Sequence, residues 1–210
     1  MDITGNSGVI RLIADDSDTV KVERKLRWTK NRPKSTESVS GGKLTIKQTG
    51  CGDGFSLGFN QCNIDYTIHL PAATKVTAAA DSGEIFTTGI KGAMSLHADS
   101  GDVSVNGSGK KLSASVDSGN VIGRNLKATD VTVNADSGDA TLDFLTAPDK
   151  VKGTVDSGDI MMSVPKDGTA YKVTAVVDSG NKVIEVKKSD SSKHVISVQA
   201  DSGDLTVRYA

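Results

Sequence analysis

The sequence is short of several residue types that common protein classes need. Its 210 residues include one tryptophan, four prolines and two cysteines, and aromatic residues make up only 4% of the chain. Lysine and arginine number 25 against 26 aspartates and glutamates, a formal net charge of -1. Because a balanced chain builds no strong overall electrostatic field, binding to nucleic acid or to an anionic membrane is disfavoured.

Long apolar runs are also missing. No stretch approaches the roughly 18 residues of a transmembrane helix, and Met1-Asp2-Ile3 has neither the basic start nor the apolar core of a signal peptide. Hydrophobic residues still amount to 36% of the chain, which is enough to bury a core. We therefore expect a soluble, folded segment.

What the sequence does have is a repeat. The tripeptide Asp-Ser-Gly occurs seven times, at intervals of 18, 18, 19, 20, 22 and 23 residues. The copies begin at Asp81, Asp99, Asp117, Asp136, Asp156, Asp178 and Asp201. Units of this length are too short for a strand plus a crossover helix and are typical of solenoid coils. Each interval is therefore interpreted as one structural unit.

Aligned on the aspartate, the units share columns of apolar residues. The position five residues before the aspartate is apolar in every unit: Val76, Met94, Leu112, Val131, Val151, Val173 and Ile196. Four residues after the aspartate, the pattern resumes with Ile85, Val103, Val121, Ala140, Ile160, Lys182 and Leu205, where Lys182 is the exception. Alternation with a period of two indicates strands with one face inward. The change of phase across Ser-Gly indicates a tight corner between two strands.

These patterns predict an all-β fold, a parallel β-solenoid (β-helix) with coils of 18–23 residues stacked in sequence order. We interpret residues 1–210 as a single domain. Residues 1–75 are predicted to form an N-terminal cap and irregular early coils, and residues 76–210 the regular Asp-Ser-Gly coils. The last coil, with Leu205, Val207 and Tyr209, has no evident cap, so its edge is predicted to be a site of self-association.

The predicted cap contains less regular elements. Ile10, Leu12 and Ala14, followed by Asp15-Asp16-Ser17-Asp18, are interpreted as a degenerate first coil. The basic stretch 24–40 is predicted to be an exposed loop, and residues 43–49 a strand. Residues 64–70 alternate apolar and polar side chains and are predicted to form a strand that stops at Pro71.

Two cysteines flank a glycine-rich segment of the cap. Cys51 and Cys62 lie between two strand-like runs, and a disulfide across such a hairpin implies an oxidising compartment. Two buried free thiols are the alternative. The histidines His69, His97 and His194 fall in separate units, so the sequence does not predict a zinc site.

The corner aspartates are the first candidate site. Stacked coils would place neighbouring carboxylates about 5 Å apart, where like charges repel by about 1 kcal/mol in water. Three residues further on, a second polar position holds Glu84, Asp102, Asn120, Asp139, Asp159, Asn181 and Asp204. We interpret each corner aspartate as an acceptor for backbone N–H groups of its own corner. One alternative is a Ca²⁺ ladder in which carboxylates of adjacent coils are the ligands. The other is a weak, multivalent attraction of the row to a cationic surface.

The second candidate site is a row of hydroxyl groups on one outer face. The position four residues before the aspartate holds Thr77, Ser95, Ser113, Thr132, Thr174 and Ser197, with Lys152 as an interruption. Such a row could lie against a sugar polymer, but outward strand positions favour serine and threonine in any case. A solvated face is the simpler interpretation, and a binding face is the alternative.

Catalysis is not predicted. An active site needs a group of residues that occurs once, whereas nearly every acidic residue here belongs to a repeated row. The sequence shows no Ser/His/Asp arrangement, no phosphate-binding glycine loop and no metal-ligand motif. A carbohydrate-active enzyme on a parallel β-helix is the weaker alternative.

Three features together carry a family resemblance. They are the Asp-Ser-Gly corners between short valine-rich strands, the cysteines followed by Asn63-Ile64-Asp65-Tyr66-Thr67-Ile68-His69-Leu70-Pro71, and the closing Val164-Pro165-Lys166 and Tyr171-Lys172-Val173. They resemble the bacterial putative-adhesin β-solenoid family, most of all its secreted or lipid-anchored actinobacterial members, over nearly the whole chain.

The resemblance implies a scaffold outside the cytoplasm that interacts with a surface glycan, a protein or the cell envelope. It implies no enzymatic activity and no cofactor. Members of that type usually carry a signal peptide with a lipobox cysteine, which is not present in this sequence.

Overall fold

The strands before and after each Asp-Ser-Gly corner lie in two different sheets. A computed structural model describes residues 1–51 and 61–210, and within them the chain forms twenty strands joined by turns. Sheet A contains β1 (Asp2–Ser7), β4 (Lys34–Ser40), β5 (Lys43–Gly50), β7 (Val76–Ser82), β9 (Met94–Ser100), β11 (Lys111–Ser118), β13 (Asp130–Ser137), β15 (Lys150–Ser157), β17 (Lys172–Ser179) and β19 (Val195–Ser202).

Sheet B contains the partner strand of each coil. Its members are β2 (Ile10–Asp15), β3 (Lys21–Trp28), β6 (Cys62–Pro71), β8 (Ile85–Thr88), β10 (Val103–Ser108), β12 (Val121–Leu126), β14 (Ala140–Phe144), β16 (Ile160–Val164), β18 (Lys182–Glu185) and β20 (Leu205–Tyr209). The predicted all-β solenoid with parallel coils is therefore confirmed. None of the described residues forms a helix long and apolar enough to cross a membrane.

The predicted apolar columns are rows of directly paired residues. Val76 pairs with Met94, Met94 with Leu112, and the row continues through Val131, Val151 and Ile196 to Val173. The inward side chains of the two sheets meet between them and are almost fully buried in the middle of the stack. Towards its two ends they are partly buried, as are Val22, Leu26 and Leu44 at one end and Val173, Ala175, Val177 and Ile184 at the other. Burial of these stacked rows supplies the main hydrophobic contribution to stability.

The coils are not stacked in sequence order, which corrects the prediction at both ends. The N-terminal coil β1/β2 lies between β5/β6 and β7/β8, and the C-terminal coil β19/β20 lies between β15/β16 and β17/β18. Leu205, Val207 and Tyr209 therefore have a neighbouring coil on each side. The end of the solenoid is β17/β18, because every coil offers the same apolar columns and the columns alone do not encode the order.

The degenerate first coil was also placed wrongly. Asn6 aligns with Asp81, and Ser7 pairs with Ser82, so Asn6-Ser7-Gly8 is the corner of this coil. Ile10 pairs with Ile85 and therefore follows the corner instead of preceding one. The short Asn side chain replaces Asp without changing the register of the strands.

The basic stretch predicted as a loop forms two edge strands instead. β3 pairs antiparallel with β6 in sheet B, and β4 pairs antiparallel with β5 in sheet A. Arg24 on β3 reaches across to β4, where its guanidinium lies 2.6 Å from the Glu37 carboxylate and donates to the Ser35 hydroxyl at 3.1 Å. This cross-sheet pair places charged side chains over the end of the apolar core.

The opposite end of the solenoid is covered by Lys182, the exception in the apolar columns. Lys182 pairs with Leu205 and lies on the terminal coil, where a charged side chain can reach solvent. Its ammonium group donates to the Ala175 carbonyl oxygen at 3.1 Å. A charge on an edge strand discourages pairing with another chain, so the edge is protected although it is exposed.

We predict that Lys182→Leu causes concentration-dependent self-association. The leucine would complete the apolar column and remove the inward-facing charge from the edge strand β18. Sedimentation velocity over a range of concentrations measures the effect, with Lys127→Leu as the control on an exposed residue away from both ends. The prediction fails if the two variants sediment alike.

Cys51 and Cys62 form the predicted disulfide, with a Cα–Cα distance of 5.9 Å. The bond does not close a hairpin as expected, because β5 belongs to sheet A and β6 to sheet B. It therefore ties the two sheets together at the corner side of the cap. The glycine-rich segment 52–60, predicted as the connecting loop, lies outside the described residues.

Reduction of this disulfide is expected to lower the free energy of unfolding by about 2 to 3 kcal/mol, the value of the chain-entropy model for a loop of this size. Urea denaturation with and without a phosphine reductant measures it. The double variant Cys51→Ser/Cys62→Ser should show the lowered stability and no further response to the reductant. Equal stability of the oxidised and reduced protein would contradict the assignment.

Candidate functional site

The candidate site is the edge along which the Asp-Ser-Gly corners stack. At each corner the backbones of neighbouring coils come into close contact. Gly119 has φ +144°, and a Cβ added there would lie 2.3 Å from the Gly101 carbonyl oxygen. The Gly119 amide donates to the Ser137 carbonyl oxygen at 2.9 Å. Only glycine satisfies both the conformation and the spacing, so the corner aspartates are held in a straight row.

The corner aspartates do not cap their own corners, contrary to the prediction. Among the described residues, no corner aspartate accepts a hydrogen bond from a backbone amide, and all but the partly buried Asp201 are exposed. Their partners are side chains, in three pairs: Asn6 Nδ2 with Asp81 at 2.8 Å, Gln199 Nε2 with Asp201 at 2.9 Å, and His97 Nε2 with Asp99 at 2.8 Å.

Backbone capping is performed by the second polar row, and it runs between coils. The Asn120 amide donates to the Asp102 carboxylate at 2.8 Å, and the Asp139 amide donates to the Asn120 side-chain oxygen at 2.9 Å. The same contact continues from Asp159 to Asp139, from Asp204 to Asp159 and from Asn181 to Asp204. This row, here called the amide ladder, links six successive coils.

The amide ladder also reduces repulsion between its own members. Asn120 separates the carboxylates of Asp102 and Asp139, and Asn181 ends the row beside Asp204. The side-chain amides of these two asparagines donate to Asp102 and Asp204 at 3.1 Å. Hydrogen bonds to the charged form stabilise a carboxylate, and an uncharged neighbour adds no like charge. The sequence did contain a sign of the amide ladder, because this row mixes Asp and Asn, whereas the seven Asp-Ser-Gly corners are all Asp.

Mutations in the amide ladder and in the row of corner aspartates should affect stability differently. Asp139→Ala should lower the free energy of unfolding by about 1 kcal/mol, because the Asp159 amide loses its acceptor. Asp139→Asn should be close to neutral, since Asn120 already performs the same role. Asp136→Ala, at an exposed corner, should change stability little. Chemical denaturation compares the three, and a larger loss for Asp136→Ala than for Asp139→Ala would reverse the assignment.

The corner row brings His97 together with two carboxylates. One imidazole nitrogen and a carboxylate oxygen from each of Asp99 and Asp117 lie within 4.8 Å of one another. Asp99 belongs to the same coil as His97 and Asp117 to the next coil. The other imidazole nitrogen, Nδ1, lies 2.9 Å from the Ser115 hydroxyl on β11. The remaining corner aspartates join no such group among the described residues.

The predicted hydroxyl row lies on the outer face of sheet A as expected. Its members pair directly from strand to strand, in the order Thr77, Ser95, Ser113, Thr132, Lys152, Ser197 and Thr174. Asp2 pairs with Thr77 and extends the row at its other end. The Lys43 ammonium beside Asp2 holds the pKa of that carboxyl below its usual value. Apart from these two charged residues, the row is an uncharged hydroxyl surface.

A shallow groove on the outer face of sheet B is a feature that the sequence analysis missed. Phe86 and Ile122 stand on either side of the smaller Ser104, with Arg124 in the adjacent row. Arg11 covers one side of this groove, with its guanidinium carbon 5.4 Å from the centre of the Phe86 ring. The position five residues after the aspartate varies from coil to coil, which left no column to find.

Comparison with known proteins places the chain in a family. The family model described as Toastrack DUF4097 matches residues 60–208. No curated protein matches the chain. A crystal structure of a putative cell adhesion protein from Clostridium sporogenes aligns over 100% of this chain and 91% of its own, with 16% identity and a TM-score of 0.44. On the strength of the family model, which matches well over half of the chain, the chain belongs to the Toastrack DUF4097 family.

Proposed function

We propose that the protein is a non-enzymatic scaffold that acts outside the cytoplasm, secreted or surface-anchored, and binds a repetitive component of the cell envelope or of another surface. The binding face is the hydroxyl row of sheet A. The observation that carries the proposal is the register of this row, because directly paired residues repeat a hydroxyl group in four successive coils, from Thr77 to Thr132. A flat row of equally spaced donors and acceptors suits a polymer whose units also recur.

The chemistry of the row favours a polysaccharide as that polymer. Neighbouring hydroxyls lie about 4.8 Å apart, the spacing of adjacent strands, and each offers one donor and two acceptor positions. Sugar hydroxyls have the same donor and acceptor capacity. The charged residues Asp2 and Lys152 interrupt this surface at only two positions, so the ligand would be largely uncharged along Thr77, Ser95, Ser113 and Thr132.

The disulfide supports the proposed location. Structural disulfides persist in oxidising compartments and are rare in the cytosol. Both cysteines of the chain are used in this one bond. A rigid solenoid that presents repeated rows on its described surface also suits adhesion better than turnover, because a catalytic constellation needs groups that occur once.

The test is binding to insoluble cell-envelope polysaccharide and to an array of soluble glycans. The triple variant Ser95→Gln/Ser113→Gln/Thr132→Gln adds bulk to the row but keeps it polar and uncharged. We expect it to lower affinity at least tenfold, because the longer side chains hold the polymer away from the sheet.

A matched control uses the other outer face. The variant Ser104→Gln/Thr141→Gln/Thr206→Gln places three glutamines on sheet B, at outward positions of the regular coils. The control should bind like the unmodified protein, and circular dichroism verifies that both variants are folded. Binding that neither triple weakens, or that both weaken equally, would count against the hydroxyl row as the binding face.

A further inference from the structure

We propose that His97, Asp99 and Asp117 bind one divalent transition-metal ion of the Zn²⁺ class. The sequence argued against zinc because its histidines are scattered among separate coils. The register of the sheet supplies what the sequence spacing hides, since β9 and β11 place a carboxylate from each of two coils beside one imidazole. An imidazole with two carboxylates is a ligand set that zinc sites use.

The imidazole is held in the orientation that a metal ligand needs. Its Nδ1 lies 2.9 Å from the Ser115 hydroxyl, while Nε2 lies 2.8 Å from the Asp99 carboxylate. A neutral ring that donates from Nδ1 to Ser115 presents its Nε2 lone pair to the cluster. Such an outer partner, which fixes the ring and its tautomer, commonly accompanies a metal-binding histidine.

The structural role of His97 does not require an imidazole. At the equivalent position of another coil, Gln199 donates from Nε2 to Asp201 at 2.9 Å, so a side-chain amide satisfies a corner aspartate equally well. An ion pair with Asp99 alone would also leave the second carboxylate, Asp117, close to the first without compensation. A dication bound between the two carboxylates removes this repulsion.

The ligand set selects the class of ion. Imidazole nitrogen suits Zn²⁺, Cu²⁺ and Ni²⁺, whereas Ca²⁺ takes six to eight oxygen ligands in proteins. Zinc binds nitrogen and carboxylate oxygen at about 2.0 to 2.2 Å, and Asp99 and Asp117 are exposed, so their side chains are free to rotate towards an ion. Three protein ligands leave a fourth tetrahedral position for water or for a donor group of a bound partner.

Isothermal titration of the full chain with ZnCl₂, after treatment with a chelator, tests the site. We expect saturation at one ion per chain, and a Co²⁺-loaded sample should show the visible absorption of a low-symmetry site. His97→Gln should weaken Zn²⁺ binding at least tenfold while it keeps the hydrogen bond seen at Gln199. His69→Gln is the matched control, because His69 faces the single carboxylate of Asp15 at 3.7 Å.

A second variant keeps the test decisive if His97→Gln folds poorly. Asp117→Asn removes the charge of one ligand. Asparagine is compatible with this corner position, because Asn6 occupies the equivalent position in the N-terminal coil. The variant should also weaken Zn²⁺ binding at least tenfold. Wild-type protein that binds no Zn²⁺, variants that bind it as tightly as wild type, or full displacement of Zn²⁺ by an equal concentration of Ca²⁺ would each overturn the proposal.

Discussion

The structure depends on the contact between the backbones of neighbouring coils at the Asp-Ser-Gly corner. A Cβ at Gly138 would lie 2.0 Å from the Gly119 carbonyl oxygen, so the coils approach more closely there than any side chain allows. This contact fixes the register of both sheets, because the strands on either side of the corner begin and end together. A shift of one residue would turn the apolar columns outward. Every row on the surface, including each candidate site, follows from this constraint.

A solenoid with identical rungs has to stop somewhere without growing into a fibre. The two ends solve this with charge placed over the apolar core. At one end Arg24 and Glu37 join the two sheets, and at the other Lys182 covers the carbonyl edge of β17. Exposed ion pairs contribute little to stability, so the main effect of these residues is on association. The edge strands keep unpaired backbone groups, and charged side chains on such strands discourage pairing with another chain.

The sequence was a good guide to everything that repeats and a poor guide to what does not. The apolar columns five residues before and four residues after the corner aspartate predicted the strands, the corners and the parallel register correctly. The columns could not predict that the β19/β20 coil lies between β15/β16 and β17/β18, because any coil fits beside any other. Lys182 was the one available signal, since an inward charge is tolerated only on a coil with a free side. The amide ladder was readable in its mixture of Asp and Asn, but its hydrogen bonds run between coils and needed the register.

Specific chemistry on this scaffold arises where one coil differs from its neighbours. Ala79, Ser115, Asn134 and Thr154 stand at the same outward position as His97, and none of them offers an imidazole. A single exception in a row of ordinary residues is enough to gather ligands from two coils, because the corner aspartates are already aligned. The repeat supplies the aligned carboxylates, and the single histidine, His97, determines at which coil the site forms. A scan of one sequence for motifs misses such a site, since its ligands come from positions 18 residues apart that only stacking brings together.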